Sequence, residues 1–222
     1  MGKLTLHGVT LSPFVRKVKI LLIEKGIDHD HVMAPPSQDP EFLKISPLGK
    51  IPVLVDEEGR AINDSSAIVN YLEERFPQNS ALPTDPYHRA RARWFEAYSG
   101  STFAPAIVFG IFGQRIVMPL LAGQPTDENV VKEAIESAPK FLNYLEQEIK
   151  GKEYFVNNTY SLADICVASN FINLQHADYE IDAEKYPELA KWYQSIVSRE
   201  HYQQLIAGEK QALAGMQAKM QK

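Results

Sequence analysis

The first part of the chain alternates between the hydrophobic period of a strand and that of a helix. Residues 3–7 alternate polar and apolar side chains, as a half-buried strand does. From Pro13, apolar side chains recur at helical spacing as far as Gly26, a residue type that commonly ends helices. The same reasoning predicts strands over 29–33, 51–55 and 60–62, a short helix over 40–44 and a helix over 65–75. The predicted order is β-α-β-α-β-β-α.

Strand signals nearly vanish after residue 77. Residues 77–86 carry prolines among polar residues, which is typical of a linker. Helical spacing then predicts one or two helices over 87–121, further helices over 126–150, 162–174 and 187–199, and a polar, weakly helical tail over 201–222. The pattern therefore predicts an α/β domain over residues 1–78, a linker over 79–86 and an all-helical domain over 87–222.

The composition indicates that the chain can bury a core and that polyanions are poor partners. Of its 222 residues, 45% are hydrophobic, which is ordinary for a globular protein. Lys and Arg total 23 and Asp and Glu total 28, so the formal net charge is −5. An acidic chain binds nucleic acids and anionic membrane surfaces weakly, so we expect neither as a partner.

Several other classes of protein are disfavoured. The lone Cys166 cannot form an internal disulfide, and its apolar neighbours favour a buried hydrophobe over a nucleophile. The six histidines show no metal-ligand spacing, so no metal site is expected. No long apolar stretch opens the chain, so no signal peptide is expected. The apolar run before Gln114 is about a dozen residues, too short to span a bilayer, which favours a buried helix.

Four segments, in order and at the spacing of the family, resemble the cytosolic glutathione transferase superfamily. Residues 11–18, LSPFVRKV, resemble the first strand-to-helix junction of its serine-type members, especially the tau and theta-like classes and bacterial relatives. Residues 42–54, FLKISPLGKIPVL, resemble the family stretch that holds a cis-proline. Residues 64–72 resemble its Glu-Ser-x-Ala-Ile-x-x-Tyr-Leu motif, and residues 160–165, YSLADI, resemble its helical-domain signature.

The resemblance implies a thioredoxin-like, glutathione-binding first domain and a helical second domain that contributes the pocket for an apolar electrophile. It implies a cytoplasmic, homodimeric detoxification enzyme that uses glutathione as co-substrate and no other cofactor. Conjugation, peroxidase, dehalogenase and isomerase activities stay open. The alternative is a binding or regulatory protein that keeps the fold without transferase turnover.

Ser12 is the residue predicted to activate glutathione. A thiol titrates near pH 8.5, and its thiolate is the nucleophile, so a catalyst must stabilise the thiolate. Ser12 directly precedes Pro13 at a predicted helix start, where a hydroxyl and the helix N-terminus both favour an anion. Ser12 alone would more often be a simple helix cap, and only the whole pattern favours catalysis. Thr10 is a weaker candidate hydroxyl.

The remaining predicted site residues fall into two groups. Those implied to bind glutathione are Gln38, Lys50, Ile51, Pro52, Asp64 and Ser65. A cis Ile51–Pro52 bond would free the Ile51 backbone for the glutathione peptide, and the helix start at Ser65 would hold the γ-glutamyl carboxylate. Each has an ordinary alternative: an edge-strand proline, a helix cap, or a solvated lysine. The electrophile pocket is assigned to Phe14, Tyr98 and Phe103, which otherwise read as core residues.

Ser161 and Asp164 form a Ser-x-x-Asp variant of the capping box. We interpret this pair as structural, because it precedes an apolar helix and would help to fold the second domain.

Overall fold

The computed structural model describes residues 3–220, and the side chains of residues 3–218. The chain divides into two compact units, the first ending at Thr84 and the second beginning at Asp85. The first unit contains a small mixed sheet with helices, and the second unit is helical within the described residues. This confirms the predicted fold class, an α/β thioredoxin-like domain followed by an all-α domain.

The first unit is built on a four-stranded sheet. Its strands are β1 Leu4–His7, β2 His29–Val32, β3 Val53–Val55 and β4 Ala61–Asn63. Their order in the sheet is β2-β1-β3-β4, with β1 parallel to β2 and antiparallel to β3, and β3 antiparallel to β4. Leu4 and Leu6 on the central strand are buried, so this strand contributes to the core.

Three helices complete the first unit, and short polar side chains begin each of them. The helices are α1 Pro13–Glu24, α2 Pro40–Leu43 and α3 Ser65–Arg75. Their N-caps are Ser12, Asp39 and Asp64, each accepting a backbone N–H of the first turn. Helices α1 and α3 pack against each other.

The loop before β3 departs from the sequence prediction. The predicted strand begins at residue 51, whereas β3 begins at Val53. The Ile51–Pro52 peptide bond is cis, as the family resemblance implies. Because Pro52 has no backbone N–H to donate, the ladder with β4 starts only after it.

The Asp56 side chain stabilises the turn between β3 and β4, and β4 is followed by α3. Its carboxylate accepts the backbone N–H groups of Glu58 at 3.1 Å and Arg60 at 2.8 Å, and the Arg60 Nε–H at 2.6 Å. Burial opposes the charge of Asp56, but the hydrogen bonds and positive charge of Arg60 outweigh it and lower the pKa of Asp56 to about 2.

The second unit consists of helices in the order that the periodicity predicts. They are α4 Pro86–Ala97, a π-helical segment Tyr98–Val117, α5 Met118–Leu120, α6 Glu128–Ile149, α7 Leu162–His176, α8 Pro187–Val197 and α9 Glu200–Met220. As far as residue 220, the tail that the sequence predicts as weakly helical forms the single helix α9, and residues 221 and 222 lie outside the described residues. Of the one or two helices predicted over 87–121, the structure has one continuous helix, Pro86–Leu120, whose middle has the wider π turn.

That continuous helix, Pro86–Leu120, is the one helix within residues 3–220 that is long and apolar enough to cross a membrane by length and composition. Of its most apolar stretch, 44% is buried inside the protein. A core helix of a soluble protein has the same length and composition, and Phe103, Ile107 and Ile111 are core residues here.

At the start of α7, Asp164 accepts four hydrogen bonds. Asp164 Oδ2 accepts the Ser161 N–H at 3.0 Å and the Ser161 hydroxyl at 3.2 Å. Asp164 Oδ1 accepts the Phe155 N–H at 3.2 Å and the Trp192 indole N–H at 2.9 Å. Burial raises the pKa of Asp164 to about 6, although these four hydrogen bonds act in the opposite direction. The pair has the structural role that its capping-box pattern predicts.

Candidate functional site

A cavity of about 500 Å³ in the first unit brings together most of the predicted glutathione residues. Lys50, Ile51, Pro52, Asp64 and Ser65 all line it. Residues far apart in the sequence are joined here because β3 and β4 bring the cis-proline loop beside the start of α3. The complete lining is Phe14, Ser46, Pro47, Leu48, Lys50, Ile51, Pro52, Asn63, Asp64 and Ser65.

The N-terminus of α3 forms one wall of this cavity. Asp64 Oδ1 accepts the N–H of Ser66 at 2.7 Å and that of Ala67 at 3.4 Å. Two of the first-turn N–H groups that have no partner within the helix are therefore capped by Asp64. Asp64 Oδ2, the Ser65 hydroxyl and the Ser65 N–H have no partner among the described residues. This wall therefore offers one carboxylate oxygen and two donors on adjacent residues.

Asp64 also has an unusual backbone conformation. Its φ is 72° and its ψ is 131°, a region that residues other than glycine rarely adopt. Such strained residues cluster at binding and catalytic sites, where the surrounding structure holds them in place. This backbone conformation of Asp64 turns the chain from β4 into α3 at the cavity wall.

The opposite wall is the cis-proline loop. Neither the N–H nor the carbonyl of Ile51 pairs with another described residue. The Lys50 ammonium makes no ion pair within the described part of the chain, and this side chain is exposed. The Ser46 hydroxyl donates to the Lys50 carbonyl at 2.7 Å, which fixes the loop. The loop thus presents a peptide group and a cation to the cavity.

Gln38 lies beside this loop but does not line the cavity. The Ser37 N–H donates to the Gly49 carbonyl at 3.0 Å. A side chain at Gly49 would come within 2.4 Å of Gln38 Nε2, so the Gln38 amide packs over this glycine. Gly49 also has a φ of 65°, which suits glycine. Gln38 therefore packs over the residue that precedes Lys50, and its predicted contact with glutathione stays a prediction.

Ser12 is the N-cap of α1, with Pro13 as the first helical residue. Its Oγ accepts the Val15 N–H at 3.4 Å, and its side chain is half-buried. The hydroxyl hydrogen has no acceptor among the described residues. Ser12 is not a lining residue, but Phe14, two positions along, is. Capping uses the oxygen of Ser12 as an acceptor, and this leaves its hydrogen for a second partner.

The three residues predicted for the electrophile pocket are distributed over both units. Phe14 lines the cavity of the first unit. Tyr98 and Phe103 belong to the second unit, where they are 6% and 1% exposed and stack on each other. Phe103 also packs with Phe141 and Phe171. Tyr98 donates its hydroxyl to the Phe141 carbonyl at 3.4 Å, and burial raises its pKa. In the second unit taken by itself, both rings are core residues, and their assignment to the pocket stays a prediction.

Sequence reasoning missed four lining residues: Ser46, Pro47, Leu48 and Asn63. Ser46, Pro47 and Leu48 lie within the stretch 42–54, and the resemblance of that stretch to the family is the signal that would have identified them. Asn63 precedes Asp64 on β4 and is brought to the cavity by the pairing of β4 with β3. Asn63 Nδ2 donates to the Ile45 carbonyl at 3.0 Å, tying β4 to the cis-proline loop. Within residues 3–220, no group of three or more His, Cys, Asp or Glu side chains is arranged to hold a metal ion.

A second cavity, of about 440 Å³, lies in the helical unit between the end of α7 and α8. Phe171 and Tyr193 form its aromatic side, and Tyr193 donates its hydroxyl to Gln175 Oε1 at 2.9 Å. It contains none of the residues that the sequence assigns to a site.

The mixed sheet, the cis-proline loop facing a helix N-terminus and the following helical unit define a two-domain protein with a thioredoxin-like first domain. Residues 6–80 match the family model described as "Glutathione S-transferase, N-terminal domain", and residues 108–200 match "Glutathione S-transferase, C-terminal domain". The chain belongs to the glutathione S-transferase family and is a glutathione transferase.

Individual relatives agree over nearly the full length. A probable glutathione S-transferase of Glycine max is 30% identical over 202 residues, covering 87% of this chain and 83% of the relative. The crystal structure of a glutathione S-transferase from Rhodospirillum rubrum F11 is 26% identical, with a TM-score of 0.84 and 91% of each chain covered. A glutathione S-transferase from Methylobacillus flagellatus KT, solved with glutathione bound, is 28% identical, with a TM-score of 0.73, covering 91% of this chain and 98% of that one.

Proposed function

We propose that this glutathione transferase holds glutathione in the cavity of its first unit and stabilises the thiolate with the Ser12 hydroxyl, for attack on an apolar electrophile. The observation that carries the proposal is the cavity itself, whose walls carry unpaired groups suited to the carboxylates, the ammonium and a peptide group of glutathione. The domain over residues 1–78 binds glutathione, and the helical domain over 87–222, after the linker 79–86, contributes to the electrophile pocket with Tyr98 and Phe103.

The binding step uses complementary charges along the cavity. The Ser65 hydroxyl and N–H hold the γ-glutamyl carboxylate, and Asp64 Oδ2 accepts from the γ-glutamyl ammonium. The Ile51 backbone pairs with the cysteinyl peptide, while Pro52 keeps its loop open toward the ligand. Lys50, with Gln38 beside it, binds the glycine carboxylate. A relative with glutathione bound supports glutathione as the ligand of this fold.

The chemical step is stabilisation of a sulfur anion. Lowering the thiol pKa by two units takes about 2.7 kcal/mol. A charge-assisted hydrogen bond supplies about 1.5–3 kcal/mol, and a helix N-terminus adds about 0.3–1 kcal/mol. Ser12 is at the N-terminus of α1 with its hydroxyl hydrogen available, so both contributions meet there. Serine is not a base, so the thiol proton leaves through water.

The test replaces Ser12 by alanine and compares Thr10→Ala as the matched control, since Thr10 is the neighbouring hydroxyl. Ser12→Ala should raise the pKa of the bound thiol and lower kcat/KM with an aryl halide by about one to three orders of magnitude. Its glutathione affinity should change little, because the other contacts are to the backbone and carboxylates. The readouts are the pH–rate profile and the ultraviolet absorbance of the thiolate. A wild-type rate and profile in Ser12→Ala would reduce Ser12 to a helix cap.

The remaining parts of the proposal concern the whole enzyme. The second substrate is a small apolar electrophile that meets Phe14 beside the cavity, and the biological role is detoxification in the cytoplasm. Glutathione acts as co-substrate, with no further cofactor. The functional assembly is a homodimer, and neither nucleic acid nor membrane is a partner.

A further inference from the structure

A short chain of contacts connects α1, through an imidazole on β2, to the backbone that follows β1. Lys19 Nζ lies 3.1 Å from His31 Nδ1, and His31 Nε2 lies 2.9 Å from the Gly8 carbonyl oxygen. An ammonium group only donates, so Nδ1 must accept and Nε2 must carry the hydrogen. His31 is thus neutral and fixed in one tautomer, donating to Gly8.

The carbonyl that His31 holds belongs to the segment that ends at Ser12. The Gly8 N–H donates to the Val32 carbonyl at 3.1 Å, so both sides of this residue are fixed to β2. A side chain at Gly8 would come within 2.5 Å of Val15 Cγ2, so the segment lies directly against the first turn of α1. Val15 is the residue whose N–H is capped by the Ser12 hydroxyl, and the Ser12 N–H donates to Val9.

Other roles for His31 fit the geometry less well. Both of its ring nitrogens are engaged, so it has no free lone pair to act as a base. His29 lies on the same strand, but its Nδ1 is 3.0 Å from the Ile27 carbonyl. The three histidines of this sheet, His7, His29 and His31, are not arranged as a metal site.

We propose that His31, locked in its Nε2–H tautomer by Lys19, is a positioning residue that sets the Gly8–Ser12 segment so that the Ser12 hydroxyl meets the glutathione sulfur. This inference rests on the proposed role of Ser12. His31 does not touch glutathione, and its effect reaches the reaction through the backbone. Lys19 acts through His31. By donating to Nδ1, it excludes the tautomer that carries its hydrogen on Nδ1 and would turn an unprotonated Nε2 toward the Gly8 oxygen.

Burial, with help from neighbouring positive charges, lowers the pKa of His31 and favours the neutral imidazole. Burial lowers the pKa of His31, the bond to Gly8 acts in the opposite direction, and Lys19 on α1, His29 on β2 and His7 on β1 lower it further. In a Lys19→Met variant, Nδ1 no longer accepts from an ammonium group, so the neutral ring can also adopt the tautomer with its hydrogen on Nδ1. Protonation restores a hydrogen on Nε2, so the loss in this variant should shrink as the pH falls.

The experiment compares His31→Leu, which removes the donor, with His31→Gln, whose side-chain amide places a donor near the position of Nε2. We expect His31→Leu to lower kcat with an aryl halide by about ten- to a hundredfold and to raise the pKa of bound glutathione, with little change in KM for glutathione. His31→Gln should recover most of both losses. His29→Leu, on the same strand and bonded elsewhere, should behave as wild type.

Each outcome decides between the inference and the function on which it rests. If Ser12→Ala loses activity but His31→Leu keeps the wild-type kcat and thiol pKa, the inference is wrong and the function stands. If His31→Leu lowers only the melting temperature, its role is structural and the inference is also wrong. If Ser12→Ala itself is silent, the proposed function fails first. If His31→Leu does not fold, the Lys19→Met variant provides the test. If its kcat/KM equals that of wild type at every pH, Lys19 does not fix the tautomer of His31 and the inference is wrong.

Discussion

At the scale of single residues, two neighbouring serines at the start of α3 have different surroundings. Ser65 is 5% exposed, lines the cavity and has an unpaired hydroxyl among the described residues. Ser66 accepts from Lys17 Nζ at 3.4 Å and does not line the cavity. The same side chain therefore faces a cavity at one position and a protein cation at the next.

This difference gives a matched pair of variants. Ser65→Ala should weaken glutathione binding by about 1–3 kcal/mol, because the γ-glutamyl carboxylate loses a charge-assisted donor. Ser66→Ala removes an identical hydroxyl one residue away and should leave the affinity almost unchanged. Isothermal titration calorimetry measures both. Equal affinities of wild type and Ser65→Ala would place the carboxylate elsewhere.

Residues in recognisable motifs were predictable, and those brought in by the backbone were not. Ser65 and Lys50 come from segments that resemble the family, and both line the cavity. Gln38 was predicted from its position before a short helix, but its amide packs on Gly49 instead of lining the cavity. Asn63 was missed because an asparagine in a β-strand carries no sequence signal for a cavity wall. Its place depends on the pairing of β4 with β3, which one sequence does not display.

At the scale of elements, the helix starts were the most predictable features. Pro13, Pro40 and Pro187 each occupy the first turn of a helix, where the missing N–H costs nothing. The π-helical segment Tyr98–Val117 was not predictable in kind, because apolar spacing near 3.6 marks a helix without revealing which carbonyl each N–H selects. The shortened β3 follows from Pro52, which the pattern of apolar residues alone had placed inside a strand.

The start of α7 gives a prediction about an element. In Asp164→Asn, an amide replaces one of the oxygens that accept hydrogen bonds from Ser161, Phe155 and Trp192. At least one buried donor is then left unpaired, at a cost of about 1–3 kcal/mol in the free energy of unfolding. Urea unfolding followed by circular dichroism measures this loss.

The control for that experiment is Ser161→Ala, which removes only the hydroxyl and keeps the backbone half of the capping box. It should cost less than Asp164→Asn. Glutathione affinity should survive in both variants, because the cavity lies in the first unit. A fully stable Asp164→Asn protein that binds glutathione poorly would instead assign Asp164 to the ligand site, against our structural interpretation.

At the scale of the whole molecule, the division into two units was predictable from a change in periodicity. Strand and helix signals alternate up to the prolines at 77–86 and are then replaced by helical spacing, and the units meet between Thr84 and Asp85. The physical reason is that an α/β layer and a helical bundle bury different apolar patterns. The oligomeric state is harder to predict from the sequence than the division into units, because an interface depends on shape complementarity as well as on composition.

The last prediction concerns that assembly. On α4, the exposed residues Tyr87, Ala90, Trp94 and Ala97 recur at helical spacing and form an apolar stripe, with Tyr87 68% and Trp94 48% exposed. Exposed apolar surface of this kind commonly marks an interface with another protein. We expect a homodimer, with twice the chain mass of 25.0 kDa by light scattering at micromolar concentration. Tyr87→Glu should weaken the dimer by placing a charge on the stripe, whereas Gln147→Glu, which adds the same charge at an exposed position on α6, should not. A wild-type mass of one chain would contradict the homodimer, and equal dimerisation of both variants would move the interface away from α4.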